Sequence, residues 1–86
     1  MPKAHAEHLK NLARSIDEWA IQGKECSNAE LAEAYASDVK DLGRVHAAIA
    51  EDDISKAAKI AFGLDTIVRE QIPESVYLFL QDKTGA

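Results

Sequence analysis

The chain of 86 residues carries 15 acidic against 10 basic side chains, giving a formal charge of −5 and a pI near 5.0. A hydrophobic share of 47% with 29% charged residues excludes intrinsic disorder, and the acidic balance excludes general affinity for nucleic acid or anionic membranes. One cysteine, Cys26, excludes an intrachain disulfide framework and a multi-cysteine zinc site. The length predicts one helical domain over 1–86. Met1-Pro2-Lys3 leads into polar sequence rather than a signal peptide, and the longest wholly apolar run is Val76-Tyr77-Leu78-Phe79-Leu80, too short for a membrane span. A cytoplasmic protein without membrane association is therefore expected.

Alanine is frequent, and neither strand alternation nor a hairpin signal occurs, so the fold class is expected to be all-α. A first helix is predicted over about 3–22, with Pro2 in its first turn and Gly23 as its stop. Leu9, Leu12, Ala13, Ile16, Trp19 and Ala20 share one of its faces, which predicts that Trp19 is largely buried against the Leu31 and Tyr35 end of the next helix. Ser27 and Glu30 fit a capping box opening a second helix over about 28–50, with Leu31, Tyr35, Leu42, Val45 and Ile49 as its spine. Gly43, with Ala32, Ala36, Val39 and Ala50, makes a strip of small residues that predicts close helix approach there. Asp53 is the expected cap of a third helix over about 54–71, and Pro73 separates it from a short fourth helix over about 74–81. Short connections between these helices predict an up-down bundle.

Two families come into view at particular residues. Asn28-Ala29-Glu30-Leu31-Ala32-Glu33-Ala34-Tyr35 resembles the first helix of a helix-turn-helix, which would imply a DNA-binding regulator. The sequence departs from that pattern at Ala36-Ser37-Asp38, which supplies no turn glycine, and the reading helix would carry Asp38 and Asp41 beside Lys40 and Arg44. Leu42-Gly43 with Asp52-Asp53-Ile54 and Ala57-Ala58 is similar to one tetratricopeptide unit, but solenoids need about three such units to bury a core.

No phosphate-cradling glycine loop and no nucleophile elbow occur, and Glu25 beside Cys26 disfavours a reactive thiolate. Folding the second and third helices about residues 51–52 brings Asp38 level with Asp65. Two facing carboxylates there would share a proton or recruit a cation, whereas Asp65 paired with Arg69 one turn later is the plainer expectation. Folding the first two helices about residues 25–26 brings His46 level with His5, one turn from His8; a histidine closing the end of the core is expected rather than a metal site. No catalytic residue, cofactor or metal is therefore expected, and the chain is not expected to be an enzyme.

The third helix carries apolar residues around more than half its circumference, from Ile54 to Val68, and the run from Val76 to Leu80 is apolar all round if helical. No single neighbour hides all of these, so Phe62, Val76, Tyr77, Leu78, Phe79 and Leu80 are the expected interface of a symmetric homodimer. Asp17, Glu18, Glu30, Glu33, Asp38 and Asp41 offer acidic faces to a basic partner. The expected function is a non-enzymatic protein–protein interaction module. It would be a small dimeric regulator, adaptor or inhibitor of the compact kind that phages and mobile elements carry, with helix-turn-helix DNA binding as the alternative.

Overall fold

The computed structural model describes residues 3–85; Pro2, expected in the first turn, lies outside the described residues. The chain is an all-α bundle: α1 (Lys3–Glu25), α2 (Ala29–Ala50), α3 (Ile54–Phe62), α4 (Thr66–Arg69) and α5 (Glu74–Thr84). No strand occurs among the described residues. None of the described helices is long and apolar enough to cross a membrane.

α1 does not stop at Gly23 but runs through it to Glu25. Gly23 is instead a point of close approach in the hairpin, since a Cβ built there would lie 2.7 Å from Tyr35 Cβ. A Cβ at Gly43 would meet nothing within 4 Å, so the close approach expected around Gly43 occurs one glycine earlier. Asn28, not Ser27, caps α2: its side chain accepts from the Leu31 N–H at 3.1 Å. With α1 longer than expected, the turn centres on Ser27 rather than on residues 25–26, which slides α1 along α2 by about one turn.

α2 runs unbroken from Ala29 to Ala50, passing straight through Ala36-Ser37-Asp38 where a helix-turn-helix would turn. It ends with Asp52 in the left-handed region (φ 61°), the Asp52 N–H on the Ile49 carbonyl and the Asp53 N–H on the Ala48 carbonyl. Those two bonds satisfy carbonyls that the helix end would otherwise orphan, and aspartate tolerates the backbone better than most residues. Asp53 caps α3 as expected, accepting from the Lys56 N–H at 3.2 Å.

The helix predicted over 54–71 is broken. α3 ends at Phe62, Gly63 caps it, and Asp65 is extended (ψ 153°) before α4 begins. Gly63 weakens a helix interior by about 1 kcal/mol, and breaking there lets Val68 and Ile72 turn inward. This resolves the apolar arc that was too wide for one helix, because Leu64, Ile67 and Val68 no longer continue the α3 faces. Pro73 then turns the chain into α5, which packs on α3 and touches α1.

The core comprises Leu12 of α1, Leu42, Val45, Ala48 and Ile49 of α2, Ala57, Ala58 and Ala61 of α3, then Val68, Ile72, Val76 and Leu80. From residue 13 to residue 41 no side chain is buried. The hairpin of α1 and α2 therefore has a half covered by α3 and α5 and a half that projects beyond them. Accordingly the molecule measures 39 × 22 × 19 Å and its radius of gyration, 12.9 Å, exceeds the roughly 12 Å usual for this length.

Candidate functional site: a groove on the open half of the hairpin

α2 presents Leu31, Ala34, Tyr35 and Asp38 at three- and four-residue spacing, hence on one face. Trp19 of α1 lies against this face, its ring 4.7 Å from that of Tyr35. The break between α3 and α4 brings Asp65, Ile67 and Val68 to the same place. Together these eight residues line a groove of about 320 Å³. Leu31 and Ile67 stand 54% and 65% exposed in it.

Trp19 packs partly buried against the edge of the core and on Tyr35, at the end of α2 where it is expected, without being fully buried. Ile67 and Val68 of α4 border the same groove. The Trp19 indole N–H donates to Asp38 Oδ2 at 3.2 Å, a contact that the helical spacing of neither residue announces. Asp38 and Asp65 do share one wall-lined space, as folding α2 against α3 implied. The expected Asp65–Arg69 pair is absent among the described residues; Arg69 instead donates to the Phe62 carbonyl at 3.3 Å, tying α4 back to the end of α3. Asp65 occupies the N-cap position of α4 without making a side-chain cap bond. The groove thus combines an aromatic pair, exposed aliphatic side chains and two carboxylates.

The histidines gather elsewhere. The slide of α1 along α2 brings His5 to the α2–α3 turn rather than to His46. His5 Nδ1 lies 3.4 Å from Asp52 Oδ1, within ion-pair range but without hydrogen-bond geometry, so the buried nitrogen has no hydrogen-bond partner. Phe79 of α5 sits between the two α1 histidines, edge-on to His5 at 5.3 Å and stacked on His8 at 4.3 Å. Burial, followed by the neighbouring His5, lowers the His8 pKa from its ordinary 6.5, with Glu7 opposing. Among the described residues no group of three or more His, Cys, Asp or Glu side chains is placed to hold a metal ion.

The apolar run of α5 is hidden more fully than its composition implied, because it meets two neighbours rather than one. Val76 and Leu80 are fully buried in the core of the chain itself, so neither is available to a second copy. Phe79 packs on the α1 histidines and Tyr77 on Phe62, with ring centroids 5.3 Å apart. Leu78, 52% exposed, projects outward, while Tyr77 and Phe79 are partly covered. No protein-family model, curated protein or solved structure matches the chain.

Proposed function

We propose that the protein is a non-enzymatic protein–protein interaction module, a small cytoplasmic regulator, adaptor or inhibitor, whose recognition surface is the groove on the open half of the α1–α2 hairpin. The observation that carries this reading is the groove in which the exposed Leu31 and Ile67 stand beside the partly buried Trp19 and Tyr35 rings. Small proteins rarely leave aromatic and aliphatic side chains together in water, and interfaces favour such anchors. The test is affinity purification from the native host with the wild-type chain and a Leu31→Ser/Ile67→Ser variant, whose positions are too exposed to support the core. Loss of the captured partner in a variant with unchanged circular dichroism is the expected result. Identical captured sets would overturn the reading.

A homodimer through α5 is the second reading, favoured by the exposed Leu78 beside the half-exposed Tyr77–Phe62 pair. Light scattering at micromolar concentration distinguishes it, giving twice the chain mass for a dimer that Leu78→Asp dissociates.

A further inference from the structure

We propose that the occupant of the groove is a basic amphipathic α-helix of another protein, lying along the hairpin as a third helix with its cations over Asp38 and Asp65. This rests on the interaction reading above and specifies the partner's chemistry.

Shape comes first. On the open half, α1 and α2 each contribute a limb of 13 residues, at 13–25 and 29–41, which is about 20 Å of helix. Two helices side by side leave a groove that a third fills, and on the closed half α3 and α5 do fill it. The open half presents the same kind of groove, with Ile67 and Val68 as the wall at which the chain's own covering elements end. A helix entering from outside continues that packing, the helix-in-groove mode of recognition. Its apolar stripe meets Trp19, Leu31 and Tyr35.

Charge selects among helices. Residues 13–41 hold seven carboxylates against three cations, so four of the five net negative charges of the chain lie on the open half. Within the groove itself the charged side chains are Asp38 and Asp65. Asp38 engages one oxygen with the Trp19 indole, and Asp65 makes no cap bond. Glu30 stands one turn before Ala34 on the same helix, extending the negative rim. A second copy of this chain would bring a matching set of carboxylates against these, which is repulsive; lysines and arginines flanking an apolar stripe are complementary.

Trp19 is the sole tryptophan and lines the groove, so its emission reports occupancy directly. Three 18-residue helical peptides lacking tryptophan are titrated into the intact protein: one of Leu, Ala and Lys, and two with Glu or Gln in place of Lys. The Lys peptide is expected to shift Trp19 emission with a micromolar Kd that weakens about tenfold between low and high salt, the Glu peptide binding at least about tenfold more weakly. Asp38→Asn/Asp65→Asn, which keeps an acceptor for the indole, is expected to weaken the Lys peptide about fivefold. Leu31→Ser/Ile67→Ser, which alters no charge, is expected to abolish the shift. Equal affinity for all three peptides overturns the basic partner while leaving the groove as an interaction surface. Absence of any binding overturns it too, and identical captured sets for wild type and Leu31→Ser/Ile67→Ser would remove the interaction reading itself. Emission that changes with protein concentration alone would assign the groove to a second copy and likewise overturn the proposal.

Discussion

His8 illustrates how much one side chain depends on what its neighbours exclude. Stacked on Phe79 and beside His5, it binds a proton less readily in the folded chain than in the unfolded one. The unfolded state therefore takes up more protons as the pH falls, and stability falls with it. The contribution is fully present above the ordinary pKa of 6.5 and is lost as the pH falls from there through the lowered folded value. Denaturant midpoints measured from pH 7.5 to 5 should decline for the wild type and decline less for His8→Gln. Parallel curves would show that His8 protonates in the folded chain without penalty. The histidines were visible in the sequence as residues at one bundle end, but their partner was not. Phe79 reaches them only because Pro73 turns α5 back across the core, and Asp52 meets His5 only because α1 slides along α2.

At the scale of elements, the periodicity of α1 and α2 was legible, and so were the Asp53 cap and the Pro73 boundary, whereas the single helix read over 54–71 is two. The glycines were not, because a glycine that stops a helix and one that admits a neighbouring helix are the same letter. Gly23 admits Tyr35, Gly63 stops α3, and Gly43 does neither. The candidate site was half legible for a related reason. Asp38 and Asp65 were placed opposite one another by the short α2–α3 turn, while the Trp19–Asp38 bond depends on the α1–α2 register, which the run-through at Gly23 sets. Two alanine substitutions separate these roles. Gly43→Ala adds a methyl into open space within a helix and should stabilise by about 1 kcal/mol. Gly23→Ala gains the same propensity but drives its Cβ into Tyr35 at 2.7 Å, an overpacking cost of about 1–3 kcal/mol. A raised midpoint for the first and an unchanged or lowered one for the second are expected on thermal denaturation; stabilisation by both would mean that the limbs part at Gly23 without loss.

For the whole molecule, the uneven burial implies uneven stability. On the closed half, Leu42, Val45, Ala48 and Ile49 are buried against α3, α5 and Leu12, so their amides open only when the core opens. On the open half only Ile16 and Trp19 pack against the edge of the core, residues 13–41 include no fully buried side chain, and the carboxylates there outnumber the cations. Regions with few buried contacts open at lower free energy than the core, and binding surfaces are drawn from that end of the scale. Native-state hydrogen exchange should therefore divide α2 in two. Amides before Asp41 are expected to exchange through local opening that denaturant barely affects, and amides from Val45 onward through global unfolding that follows the denaturant slope. Saturation with the Lys peptide should raise protection in the first set and leave the local pattern of the second unchanged, since a covering helix supplies to the open half what α3 and α5 supply to the closed one. Uniform protection along α2 in the free protein would mean that the Trp19–Tyr35 contact and the Trp19–Asp38 bond bind the projecting limbs into the core's cooperative unit, and that the groove is rigid before any partner arrives.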